Sequence, residues 1–108
     1  MPATGASTID QVLAEARSRI RRYTPDEARA DPELLLVDTR SSDQRERDGI
    51  IPGSTHVPLS VLPWRTEDLA GRRVCLVCAH GCSSSLAAAL LVELGVDAGD
   101  LIGGYEAW

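Results

Sequence analysis

Apolar residues fall into two kinds of run along this chain. Leu34-Leu35-Leu36-Val37 and Val74-Cys75-Leu76-Val77 are unbroken, as in strands covered on both faces. Elsewhere the apolar residues recur at helical spacing. Ile9, Val12, Leu13, Ala16 and Ile20 predict an amphipathic helix from Ile9 to about Arg22, opened by a capping box with Thr8 as N-cap and Gln11 at N3. Its other face carries Arg17, Arg19, Arg21 and Arg22. These read as a solvated face, with an acidic partner or substrate as the alternative. Thr24-Pro25-Asp26-Glu27 is a second capping box, predicting a short helix that ends near Ala30. Ser41 to Asp48 reads as a turn and a short helix, and Thr55-His56-Val57 as a short strand ended by Pro58. Helical turns follow over Leu59 to Trp64 and Thr66 to Ala70, interrupted by Pro63. An Ala/Leu-rich helix runs from Leu86 to Leu94 and stops at Gly95. A last strand lies within Asp97 to Ile102, and Tyr105 to Trp108 begins a final helix.

Strands alternating with helices predict an α/β fold, with a central, mainly parallel sheet flanked by helices on both faces. Residues 1–7 are small and polar and read as disordered. Residues 8–108 read as a single domain, with no internal repeat or linker and with the N-terminal helix within 8–23.

Charge and composition narrow the function. The net charge of −5 argues against nucleic acid and an anionic membrane as partners. All 11 basic residues are arginine, so a Schiff-base lysine mechanism is excluded. No apolar run reaches about 18 residues, and no leader pattern opens the chain. The expected location is therefore cytoplasmic. Three cysteines fit free thiols better than a disulfide framework.

The candidate chemistry lies after the second unbroken run. Cys78 ends a strand, and Gly81 and three serines lead into a helix. Free N–H groups and the positive end of the helix dipole favour a thiolate there, which makes Cys78 the candidate nucleophile. Cys75 spells Cys-x-x-Cys with it, but lies inside the strand, about 10 Å away along an extended chain and on the opposite face. It reads as core. No second ligand pair accompanies it, and His56 and His80 are too scattered to complete a metal site. His80 reads as an outward loop side chain, or as an aid to an incoming anion. Cys82 reads as a small filler, or as a second sulfur able to meet Cys78 if the loop curls. Asp38 sits at the end of the other strand and, with Arg40, reads as an ion pair fixing loops. Trp64 and Trp108 read as packing residues.

Four stretches together resemble the rhodanese family of sulfurtransferase domains. Leu36-Val37-Asp38-Thr39-Arg40 resembles its Asp-x-Arg segment. Gly49-Ile50-Ile51-Pro52-Gly53-Ser54 resembles Gly-His-Ile-Pro-Gly-Ala, with Ile50 in the His place. Cys78-Ala79-His80-Gly81-Cys82-Ser83-Ser84 resembles the Cys-x-x-Gly-x-Arg-Ser loop, and Leu101 to Trp108 resembles the Leu-x-Gly-Gly-x-x-x-Trp signature. The likeness covers roughly residues 26–108. It implies a rhodanese-like fold and a Cys78 persulfide that carries sulfur from a small anionic donor such as thiosulfate to a thiophilic acceptor. The backbone N–H groups of Ala79, His80, Gly81, Cys82, Ser83 and Ser84 would cradle it, with no cofactor or metal. The chain departs from the family at Ser83, where the loop pattern has arginine. Arg45 and Arg65 are the candidates to stand in for that arginine in space. Without a loop arginine, a phosphatase reading loses its oxyanion clamp. Two readings stay open beside sulfur transfer. One is a catalytically weak domain that binds an anion or a partner, and the other is a thiol redox sensor using Cys78 and Cys82.

Overall fold

The computed structural model describes residues 7–108. The stretch expected to be disordered, 1–7, lies outside the described residues except for Ser7. Helix α1 (Ile9–Ser18) carries the expected capping box, with Thr8 accepting from the Gln11 N–H and Gln11 bonding back. It stops four residues short of the expected end. Strand β1 (Arg21–Tyr23) follows and pairs parallel with the last strand, Arg22 opposite Asp100. Arginine is a good helix former, and Arg-Arg-Tyr carries no apolar alternation, so nothing local announces this strand.

Helix α2 (Pro25–Ala30) has the second capping box. Strand β2 (Leu35–Asp38) is one of the unbroken apolar runs. Helix α3 (Ser42–Asp48) is opened by a third box, Ser41 with Gln44. Then come strand β3 (Thr55–His56), a 3-10 turn (Leu62–Trp64) and helix α4 (Thr66–Leu69). Strand β4 (Arg73–Val77), helix α5 (Ser83–Glu93), strand β5 (Asp97–Leu101) and helix α6 (Gly104–Ala107) complete the chain. The five strands form one sheet in the order β1-β5-β4-β2-β3, and every paired neighbour is parallel.

Both faces of the sheet are covered, which is why β2 and β4 read as unbroken apolar runs. On one face Val37, Val74 and Leu76 pack with Leu62, Leu69, Ala88 and Leu91. On the other, Cys75 and Val77 pack with Tyr23, Ala28, Ile51 and Leu101, flanked by Tyr105 and Trp108. Trp108 also lies under the Arg29 guanidinium, 4.2 Å from its ring centre. Trp64 does not pack as expected. It sits in the 3-10 turn and is 81% exposed.

The order matters for the site. From β2 the chain moves outward to β3, returns to β4, then moves the opposite way to β5. The loops after β2 and β4 therefore diverge, and the crevice outside their carboxyl ends is where such sheets place ligands.

Candidate functional site

A cavity of about 510 Å³ opens at that crevice, lined by Thr39, Arg40, Ser41 and Gln44 from the β2 side, by 78–80 and Cys82–Ser83 from the β4 side, and by 58–60. Cys78 lies at its base, buried, with 5% of its surface exposed. Its sulfur accepts the Gly81 N–H at 3.0 Å and the Ser84 N–H at 3.4 Å. The Cys78 S–H donates to Ser84 Oγ at 3.2 Å. Helix α5 starts at Ser83, three residues earlier than the apolar spacing indicated, and its N-cap Cys82 makes no side-chain cap bond. A sulfur thus takes a first-turn N–H that would otherwise go unpaired.

Burial by itself would push the Cys78 thiol up. The hydroxyls of Ser83 and Ser84 and the N–H groups of Ser84 and Gly81 outweigh it, and the thiol lies below its ordinary value. Cys75, three residues earlier, has no such donors among the described residues. Burial, with the Asp100 charge adding to it, pushes its thiol far up, and it is the core residue its place in the strand indicated.

The loop keeps its shape through close backbone contact with the C-terminal turn. The Tyr105 N–H donates to the Cys78 carbonyl at 2.7 Å and the Glu106 N–H to the Ala79 carbonyl at 3.1 Å. A Cβ on Gly104 would come within 2.4 Å of the Cys78 carbonyl oxygen and 2.7 Å of the Gly81 nitrogen. Gly81 has φ +89°, and its own Cβ would meet the Gly103 nitrogen at 2.8 Å. Only glycine fits at these two points.

At the end of β2, Asp38 and Arg40 form the expected ion pair, both buried. Arg40 Nε and Nη2 donate to the two carboxylate oxygens at 3.0 and 2.8 Å, and Nη2 also reaches the Gly49 carbonyl at 2.8 Å. Its guanidinium lies over the Tyr105 ring at 3.8 Å. Its Nη1 is buried without a hydrogen-bond partner among the described residues. Burial works to raise the Asp38 carboxyl, but the bonds from Arg40 and Arg45 together hold it below the usual carboxylate range. His56 Nε2 donates to the Arg40 carbonyl at 2.7 Å.

Neither expected substitute for the loop arginine lines the cavity. Arg45 is tied to Asp38 at 3.1 Å, and Arg65 pairs on the surface with Asp68 at 2.7 Å. His80 points outward, its Nδ1 donating to Glu106 at 2.8 Å. Cys82 is exposed and on the cavity wall.

The supposedly solvated arginine face divides. Arg19 and Arg21 are exposed, whereas Arg17 and Arg22 turn inward onto the loop. Arg17 Nη2 donates to the Gly81 carbonyl at 3.0 Å, and Arg22 Nη2 reaches it at 3.5 Å. Arg22 also pairs with Asp100, a fully buried carboxylate bonded in turn by Ser84 and Ser85. Asp100 went unnoticed in the sequence, although a charge inside a buried parallel strand always requires partners.

The family model for the rhodanese-like domain matches residues 24–108. The chain belongs to the rhodanese-like domain family. No curated protein matches it. Among solved structures, it is similar to a Rhodopseudomonas palustris protein of unknown function, described as a possible tyrosine phosphatase. That pair has 28% identity and a TM-score of 0.84, with 100% of this chain and 93% of the other covered. A rhodanese homolog from Thermus thermophilus is 31% identical over 82% of this chain and 100% of its own, with a TM-score of 0.67. A human single-domain sulfurtransferase, at 24% identity, 81% and 93% coverage and a TM-score of 0.70, shares the fold. The match to the family begins at residue 24, so α1 and the whole of β1 precede the part that defines the family.

Proposed function

We propose that this rhodanese-like domain is a sulfurtransferase working through a persulfide on Cys78. The Cys78 thiolate attacks the outer sulfur of a sulfane donor such as thiosulfate. The new S–S bond forms as the donor's S–S bond breaks, and sulfite leaves with the electron pair. A thiophilic acceptor then attacks the outer sulfur of the persulfide, and the Cys78 thiolate leaves. The observation that carries this reading is the Cys78 sulfur itself, at the base of the cavity and bonded by two backbone N–H groups. Those donors favour a thiolate and then a persulfide anion. Arg40 on the cavity wall, with its spare Nη1, suits an anionic donor. The cavity's volume is in the range of organic-ligand sites, which leaves room for an acceptor thiol beside the loop.

Phosphoryl transfer is the weaker reading. Ser83 cannot clamp an oxyanion, and Arg17 and Arg22 are engaged with Gly81 and Asp100. A redox-sensor reading has one observation in its favour, that Cys82 and Cys78 line the same cavity.

The test is an intact mass after incubation with thiosulfate. A gain of one sulfur that disappears in Cys78→Ala is expected, together with thiocyanate release when cyanide is the acceptor. No adduct and no thiocyanate with any sulfane donor would sink the proposal. A loss of two hydrogens under mild oxidant, requiring both Cys78 and Cys82, would favour sensing.

A further inference from the structure

Behind the loop lies a buried network that sulfur transfer, as written above, does not use. Asp100 accepts Arg22 Nε on Oδ1 at 2.9 Å and Arg22 Nη2 on Oδ2 at 3.3 Å. It also accepts the Ser84 hydroxyl at 3.0 Å and the Ser85 hydroxyl at 2.6 Å. Arg17 Nε donates to Ser85 Oγ at 3.1 Å. A hydroxyl has one proton to give. With Cys78 as a thiol, the chain of donation runs from Cys78 S–H to Ser84 Oγ, and from Ser84 O–H to Asp100.

We propose that the Arg22–Asp100 pair is a positioning device that controls whether the Ser84 hydroxyl serves Asp100 or the Cys78 sulfur. It would bring two arginines from residues 8–23 into a site whose own loop has none. When Cys78 ionises, its proton leaves to solvent and the sulfur becomes an acceptor. Ser84 O–H then turns from Asp100 to the sulfur, while Asp100 keeps both Arg22 bonds and Ser85. No other atom changes hands. Arg22 makes this turn inexpensive by holding the carboxylate charge after Ser84 has left. Asp100 opposes it, through its charge and its claim on the same proton. Around Asp100, Arg22 from β1 pairs with it directly, Arg17 from α1 reaches it through the Ser85 hydroxyl, and its charge acts on Cys75 from β4.

The two members of the pair therefore act on Cys78 in opposite directions, which a purely structural role would not produce. The test is the alkylation rate of Cys78 by iodoacetamide in the full chain from about pH 5 to 10, a range that brackets the ordinary thiol. Fragment masses separate Cys78 from Cys82. Arg22→Gln is expected to move the midpoint up and slow alkylation at neutral pH roughly tenfold, the factor that one pKa unit represents. Asp100→Asn is expected to move it down, and the double variant should return toward wild type. Unmoved midpoints, or shifts in the same direction, overturn the proposal. If either variant fails to fold, Ser84→Ala carries the test: a raised midpoint supports the network and an unchanged one overturns it. The idea deepens the sulfur-transfer reading, but the assay needs no sulfur donor. Opposed shifts without sulfur loading would leave this network and remove the transfer reading. Loading without shifts would do the reverse.

Discussion

Two centres stand at the carboxyl ends of neighbouring strands, Asp38 closing β2 and Cys78 just after β4, and they are held by different means. Asp38 has charged partners, Arg40 and Arg45, which satisfy both of its oxygens. Cys78 has two backbone N–H groups donating to its sulfur, and its S–H donates to the Ser84 hydroxyl. A carboxylate between two guanidinium groups is fixed and cannot readily act on anything else. The Cys78 sulfur is met only by neutral groups, with no guanidinium paired to it among the described residues, and it lines the cavity. Under the proposed sulfur-transfer reading, the contrast separates a structural site from a chemical one within a single crevice.

Breaking the first centre should have the largest effect. Arg40→Ala leaves the Asp38 charge buried with only Arg45, and removes the contacts to Gly49 and Tyr105. Losing one partner of a buried pair costs about 3–5 kcal/mol. For a domain of this size that lowers the melting temperature by roughly 12 °C or more. Calorimetry checks it, and a shift under about 4 °C would mean that the pair is not the clamp described.

Next is the cradle. Gly104→Ala drives a methyl into the Cys78 carbonyl and the Gly81 nitrogen, at a residue with φ +66°. Displacing the Gly81 N–H from the sulfur forfeits a bond to a charged group worth about 1.5–3 kcal/mol. That is roughly tenfold or more in thiolate population at neutral pH. Alkylation of Cys78 should slow accordingly while Arg40 and Asp38 stay paired, so reactivity falls further than stability.

How far this was readable in the sequence follows the same division between local and distant causes. Strands β2 and β4 and the capping boxes at Thr8 and Thr24 are set by neighbours within a few residues, and they were legible. So was the place of Cys78, because it follows an apolar run and precedes a Gly/Ser helix start. Strand β1 was hidden because its reason for existing is a parallel partner far away in sequence, with Arg22 opposite Asp100. Arg17, Arg22, Asp100 and Ser85 meet only once the sheet is assembled, and no spacing rule joins them. Trp64 misled because an aromatic residue usually packs, and here it lies exposed at the end of a 3-10 turn.

The two centres also differ in the pH at which they stabilise the fold. Asp38 has a folded value below its unfolded one. Its contribution is complete above the ordinary Asp value of about 3.9 and is lost as pH falls through the folded value. Cys78 is likewise depressed, but its unfolded value is about 8.5. Its contribution is complete above that pH and is lost as pH falls through the folded value. Urea midpoints should therefore decline in acid in wild type and in Cys78→Ala alike. The gap between the two proteins should widen in favour of wild type as pH rises toward about 9. A gap that stays flat over the alkaline range would mean that the cradle does not favour the thiolate.

The smallest expected effect concerns Cys82. Serine is among the best N-cap residues, ordinarily worth about 1 kcal/mol over a poor cap, so Cys82→Ser at the head of α5 invites a gain. The geometry argues for none. The backbone at Cys82 is helical, φ −102° and ψ −55°, rather than extended as at the three capping boxes. The Ser84 N–H that a cap oxygen would seek already goes to the Cys78 sulfur. Cys82→Ser should leave the urea midpoint unchanged within about 0.5 kcal/mol, whereas Cys78→Ala should lose a cap's worth of about 0.5–2 kcal/mol. A clear gain from Cys82→Ser would show that the first turn of α5 still lacks an acceptor, and the sulfur would then not be what closes it.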